Sequence, residues 1–180
     1  MIQRFEHGGN VYQPSPKGKA WLDFSANINP LGLSPAVRQA LAAHLDQVVH
    51  YPDPAGTALR QALEQAYGVP GGSIVLGNGA AELFYLYMHT FRPQRVLLPV
   101  PSFSEYERAA RSAGAEIVYA YLEADKAFQP DLTAIASQVK DADCIVLGNP
   151  NNPTGNLIRR QKLISFLERA VQRGQFVIVD

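Results

Sequence analysis

From Ser73 to Asp180 the chain alternates short apolar runs with amphipathic stretches of helical length, a pattern that few folds accept. The apolar runs are Ile74–Leu76, Val96–Leu98, Glu116–Tyr121, Cys144–Leu147 and Phe176–Val179. Helices are expected between them near residues 80–91, 103–113, 131–138 and 159–173, with Gly114 and Gly174 where C-caps belong. Runs this uniformly apolar read as strands buried on both faces. The expected class is therefore α/β, a mostly parallel sheet with helices on both faces.

The segment before Ser73 is different. Residues 1–33 are rich in Gly, Asn and Pro and read as an extended arm with one strand-like piece, Ala20–Phe24. Ser34-Pro35 is a helix start, a hydroxyl cap followed by proline at the first helical position. Val37, Leu41, Leu45 and Val48 follow at three- and four-residue spacing and give that helix one apolar face. Tyr51-Pro52-Asp53-Pro54 breaks it. A second helix carries Leu59, Leu63 and Ala66 and stops at Gly68.

Charge and composition narrow the function classes. The 180 residues are 47% hydrophobic, and 16 basic residues balance 16 acidic ones, so nothing favours nucleic acid or an anionic membrane surface. The apolar runs are too short to span a bilayer, and the N-terminus does not resemble a signal peptide. Cys144 is the only cysteine, reads as a buried filler, and suits a reducing compartment. His44, His50 and His89 show no metal-ligand spacing with carboxylates, so no metal site is expected. A cytoplasmic enzyme acting on small molecules is the expected class.

In parallel sheets ligands gather beyond the carboxyl ends of the strands. Three polar motifs stand at such ends. Leu147-Gly148-Asn149-Pro150-Asn151-Asn152-Pro153-Thr154-Gly155 is a rigid polar elbow that can aim one amide, or is simply a turn. Gly77-Asn78-Gly79-Ala80-Ala81-Glu82 leads from a strand into a helix. The amides of Ala80 and Ala81 could hold a phosphate there, or the loop could be a tight turn and nothing more. Asp180 follows four apolar residues, where a buried carboxylate needs a cationic partner; the alternative is an exposed chain end. Phe103, after another strand, could cover a flat ring or belong to the core. Taken together the motifs fit a phosphorylated, planar, protonatable ring, a description that matches pyridoxal 5'-phosphate.

At this point the chain resembles, over its whole length, the fold-type I pyridoxal-phosphate enzymes of the aspartate aminotransferase superfamily. Gly-Asn-Gly-Ala-Ala-Glu, Asn-Pro-Asn-Asn-Pro-Thr-Gly and the strand ending in Asp180 occur in that family's order. His7-Gly8-Gly9-Asn10, the stretch from Asp23 to Gly32, and Tyr51-Pro52-Asp53 resemble the opening of threonine-phosphate decarboxylases, relatives of histidinol-phosphate aminotransferases. The resemblance implies that Asn152 bonds the cofactor's phenolic oxygen and that Asp180 pairs with its ring nitrogen. Phe103 would stack on the ring, and Ala80 and Ala81 would hold its phosphate. It further implies a homodimer in which Tyr51 reaches the neighbouring subunit's phosphate. His7, Asn10 and Asn27 become candidate contacts for a phosphorylated amino-acid substrate.

The implied domains are residues 1–50, an arm and helix contributing to a small domain, and 51–180, part of a cofactor-binding large domain. The implied reaction is decarboxylation of L-threonine O-3-phosphate to (R)-1-aminopropan-2-yl phosphate in cobalamin biosynthesis. Alternatives are a histidinol-phosphate or related aminotransferase and, from another class, a non-catalytic cofactor-binding module. In the family the Schiff-base lysine follows a later strand, and Lys17, Lys19, Lys126, Lys140 and Lys162 do not match it. The expectation is thus a fragment inactive by itself, with the strands that fill the sheet beside Phe176–Val179 lying outside it.

Overall fold

The computed structural model describes residues 8–9, 11–12, 14–15, 18–138 and 142–180, which fall into two compact units, Met1–Ile74 and Val75–Asp180. This is a division by compactness. The expected division at residues 50 and 51 concerns domain membership in an assembled enzyme and stays a proposal.

In the first unit, α1 (Pro35–Ala43) starts as anticipated: the Ser34 hydroxyl accepts the Val37 N–H at 3.3 Å and Pro35 follows the cap. The helix is shorter than the apolar spacing suggests. The His44 N–H is shared between the carbonyls of Ala40 and Leu41, the tightening common at helix ends, and Leu45–Val49 continue as a 3-10 turn. Val37, Leu41, Leu45 and Val48 are all exposed. The Tyr51–Pro54 break is pinned by Asp53, whose carboxylate accepts the N–H groups of Thr57 (2.7 Å) and Ala55 (2.9 Å). Those bonds, Thr57 first, hold its carboxyl below the usual range. Helix α2 (Thr57–Tyr67) then ends at Gly68, as expected.

Two expected strands are absent. Ala20–Phe24 and Ile74–Leu76 form no ladder, although Ile74 keeps an extended backbone (φ −108°, ψ 124°). A strand exists only with a neighbour to share its N–H and C=O groups. Among the described residues neither segment has one.

The second unit matches the expected α/β architecture. It contains α3 (Ala80–Phe91), β1 (Arg95–Val100), α4 (Ser104–Ser112), β2 (Glu116–Tyr121), α5 (Leu132–Gln138), β3 (Cys144–Leu147), α6 (Arg160–Gln172) and β4 (Phe176–Val179). All strand pairs are parallel, in the order β2-β1-β3-β4. Gly114 and Gly174 each sit one residue beyond the caps, Ala113 and Arg173.

Alternation along the strands builds two cores. Val96, Leu98, Cys144 and Val146 face Phe84 and Met88 of α3 and Tyr106, Ala109 and Ala110 of α4. Leu97, Ile145 and Leu147 face the other way, onto Leu132 and Ile135 of α5 and Phe166 and Ala170 of α6. Helices therefore cover both faces. Because β3 lies inside the sheet, between β1 and β4, with helices over both faces, its four residues are all buried. β4 is an edge strand, with Phe176 and Val179 exposed.

The Cys144 reading is correct in its physical part: the side chain is wholly buried, and burial pushes its thiol up to about 12. A thiol rather than a thiolate at neutral pH does not attack electrophiles. Iodoacetamide is expected to leave Cys144 unmodified in the native protein and to label it fully in urea, read by intact mass.

Candidate functional site

The register of β3 and β4 creates the site. Leu147 pairs with Val179, so the elbow after β3 and the residue after β4 leave the sheet side by side. The Asp180 N–H donates to the Leu147 carbonyl (2.9 Å), and the Asn149 N–H donates to the Asp180 carbonyl (2.8 Å). Asp180 is thus fixed beside the elbow by main-chain bonds that do not use its side chain.

The asparagines of the elbow divide the labour. Asn149 Oδ1 accepts the Ile158 N–H at 2.7 Å, and its bond to Pro150 is cis. Asn151 is buried, and its Nδ2 donates both to the Pro101 carbonyl (3.0 Å) and to Thr154 Oγ1 (2.8 Å). Its main chain closes the turn by bonding Asn156 and Gly155. Asn152, half-buried and followed by a second cis proline, makes no side-chain hydrogen bond with the described residues. Two asparagines build the turn, and the third keeps its amide uncommitted among the described residues.

Gly148 permits the closeness. A Cβ there would lie 2.9 Å from Asn151 Oδ1 and 3.1 Å from Asn151 Cα. The amide it would strike is tethered at Pro101 and Thr154, so it cannot step aside. Gly148→Ala is expected to destabilise the protein by about 1–3 kcal/mol, the usual cost of overpacking, read as a lower denaturant midpoint.

Beneath Asp180 lies Tyr106, which the sequence alone did not single out. Its hydroxyl donates to Asp180 Oδ2 at 2.5 Å. Burial first, then this bond to Asp180, pushes the phenol far above its ordinary pKa, so it remains a donor. Its ring meets Phe84 edge-on (centroids 4.9 Å apart) and Phe103 edge-on (5.6 Å). Phe103 is half-buried in the turn between β1 and α4. It belongs in part to the core and in part to the open side of the site.

The fourth wall is the start of α3. Gly79 has φ +83°, a backbone state suited to glycine, and turns the chain directly into Ala80 and Ala81. No side chain caps this helix, while the Glu82 carboxylate accepts the Asn78 N–H just outside it. Ala80 and Asp180 line the same trough of about 590 Å³, whose other walls are apolar side chains including Leu83, Phe84 and Ile178. The trough runs along the open side of β4. One end of the second unit therefore presents free amides with a helix dipole behind them, an unused asparagine amide, a carboxylate and an aromatic ring.

The remaining candidates belong to the first unit or lie outside the described residues. Tyr51 and Asn27 belong to the first unit, and both are exposed, Tyr51 fully. Near Asn27, Ser25 braces the arm by accepting the Gly9 N–H and donating to Asp23 Oδ1. His7 and Asn10 lie outside the described residues. Among the described residues no group of three or more His, Cys, Asp or Glu could hold a metal. No described helix is long and apolar enough to cross a membrane.

Residues 19–180 match the family described as aminotransferase class I and II. Threonine-phosphate decarboxylase of Salmonella typhimurium is 35% identical over 97% of this chain and 49% of its own length. Histidinol-phosphate aminotransferase of Desulfitobacterium hafniense is 37% identical over 86% of this chain and 44% of its own. Among solved structures, histidinol-phosphate aminotransferase from Clostridium acetobutylicum superposes with a TM-score of 0.77 at 33% identity, covering 87% of this chain and 46% of that one. The chain thus spans about half the length of the curated relatives it matches.

Proposed function

Because the chain belongs to the class I and II aminotransferase family, we propose that the protein is a pyridoxal-phosphate enzyme that decarboxylates L-threonine O-3-phosphate to (R)-1-aminopropan-2-yl phosphate, a step of cobalamin biosynthesis. The observation that carries the cofactor reading is that main-chain bonds set Asp180 beside the elbow that bears Asn152, while Asp180 and Ala80 at the uncapped start of α3 line one trough. The residues present fit that cofactor: its phosphate, phenolic oxygen and ring nitrogen each find a counterpart, Asn152 is uncommitted among the described residues, and Asp180 keeps one oxygen besides the one that Tyr106 holds.

In this reading the amides of Ala80 and Ala81 bind the cofactor phosphate, with the dipole of α3 adding positive potential. Asn152 donates to the phenolic oxygen. Asp180 keeps a proton on the ring nitrogen, and Phe103 covers one face of the ring. Pyridoxal phosphate, when bound, supplies an electron sink for the bond that breaks at the substrate's α-carbon. Elbow and strand end act by holding these groups still, so that little reorganisation is needed during reaction. Tyr51 reaches the phosphate of the neighbouring subunit in a homodimer, which accounts for a tyrosine fully exposed on a turn pinned by Asp53. His7, Asn10 and Asn27 contact the substrate, and the setting is the cytoplasm.

The decarboxylase relative aligns over 97% of the chain and so includes the arm, against 86% for the aminotransferase. That difference favours decarboxylation. The aminotransferase remains the second reading on the strength of its 37% identity, against 35% for the decarboxylase, and the 0.77 superposition. One pair of assays separates them. Carbon dioxide released from threonine phosphate supports the first reading. Glutamate formed from histidinol phosphate and 2-oxoglutarate, without carbon dioxide release, replaces it with the second.

A further inference from the structure

We infer that Tyr106 is a positioning residue that commits one oxygen of Asp180 to the protein and reserves the other for the ring nitrogen of the cofactor, an inference that rests on the pyridoxal-phosphate reading above. The main chain of Asp180 is already tied on both sides, by Leu147 and Asn149. What remains free is rotation of its carboxylate, and the Tyr106 hydroxyl removes that freedom by donating to Oδ2. Oδ1 has no hydrogen-bond partner among the described residues, and Asp180 is exposed, so that oxygen is open to a ligand.

The donor itself cannot swing. Tyr106 is 1% exposed, and its ring is wedged edge-on against Phe84 and Phe103. On the elbow side, even a single carbon added at Gly148 would lie 3.4 Å from the Tyr106 oxygen. Tyr106 therefore ties α4 to the end of β4, with the elbow close beside its hydroxyl.

The choice of a phenol has a chemical reason. An arginine or lysine here would hold Asp180 as firmly but would neutralise it, and a cationic ring would lose its counter-charge. A neutral donor orients the carboxylate and leaves its full negative charge for the ligand. Burial that keeps the phenol protonated keeps that arrangement intact over the whole physiological pH range.

The test compares two ligands on the whole protein as encoded: pyridoxal phosphate, and its deaza analogue in which the ring nitrogen is replaced by carbon. Tyr106→Phe keeps the ring and its edge-on contacts and deletes only the donor. It is expected to weaken pyridoxal phosphate binding about tenfold, the scale of one charge-assisted hydrogen bond, and to leave the analogue's affinity unchanged. In an Asp180→Asn background the same substitution should no longer discriminate between the ligands. Equal losses for both ligands, or no loss for either, would overturn the inference while leaving the cofactor reading in place. Wild-type protein that binds pyridoxal phosphate no better than the analogue would overturn the pairing of Asp180 with the ring and Tyr106's role with it. Because the readout is a ratio of affinities taken below each variant's melting temperature, a general loss of stability does not imitate it.

Discussion

Asp180→Asn is expected to lower turnover by two to three orders of magnitude while the protein melts within a degree or two of wild type. The asparagine keeps an acceptor for the Tyr106 hydroxyl and leaves both main-chain bonds at the end of β4 untouched. Only the charge is removed. Asp180 is exposed in the free protein, and once the cofactor covers it, losing one partner of the resulting ion pair costs about 3–4 kcal/mol. Each 1.36 kcal/mol is a factor of about ten in rate, so two to three decades follow. Asp180→Ala is the informative contrast. It also strands the buried Tyr106 hydroxyl, and about 1–3 kcal/mol of stability is lost with it. A pair of melting curves and a pair of initial rates thus separate the electrostatic role of the side chain from its structural one. Equal rates for Asp180→Asn and wild type would remove Asp180 from the chemistry.

The elbow offers a second large effect, split between neighbours. Asn151→Ala is expected to destabilise the protein by about 2–3 kcal/mol, because it leaves the Pro101 carbonyl and Thr154 hydroxyl without their donor in a buried setting. For a chain of this size each kcal/mol is about 2–4 °C in melting temperature, so a drop of several degrees is measurable. Asn152→Ala breaks no hydrogen bond within the described residues and should melt like wild type. Its deficit should appear only in cofactor affinity, weaker by about tenfold for one lost hydrogen bond to an ionised oxygen. If Asn152→Ala unfolds early, or Asn151→Ala does not, the division of labour within the elbow is wrong.

The second unit was legible in the sequence because each strand there is buried on two sides and each helix on one. Apolar runs and helical spacing report such burial directly, and β2, β3 and β4 have the bounds expected of them. Ile74–Leu76 and Ala20–Phe24 carry a similar pattern but form no ladder, because an apolar run states that a segment can be buried and not that a neighbour is available to pair with it. In α1 the apolar spacing ran on past Ala43, whereas the helix closed at the shared N–H of His44. Spacing alone does not report where hydrogen bonds switch from four to three residues back.

The site divides in the same manner. Asp180 and the elbow could be placed together because strand ends in a parallel sheet converge, and the Leu147–Val179 register brings them there. Which asparagine keeps its amide uncommitted could not be read from composition, since Asn149, Asn151 and Asn152 are chemically identical; their hydrogen bonds within the described residues tell them apart. Tyr106 escaped notice because an aromatic residue three positions after Phe103 on an amphipathic helix reads as core. Its partner is 74 residues away, a distance at which local patterns carry no signal.

A crystal structure of the whole protein soaked with pyridoxal phosphate tests the central claim most directly. The account predicts the ring nitrogen at about 2.7–2.9 Å from Asp180 Oδ1, the length of a charge-assisted bond, with Tyr106 still on Oδ2. It also predicts the phenolic oxygen on Asn152 and the phosphate on the amides of Ala80 and Ala81. A cofactor bound with its ring nitrogen turned to solvent, or seated away from the ends of β3 and β4, would contradict it.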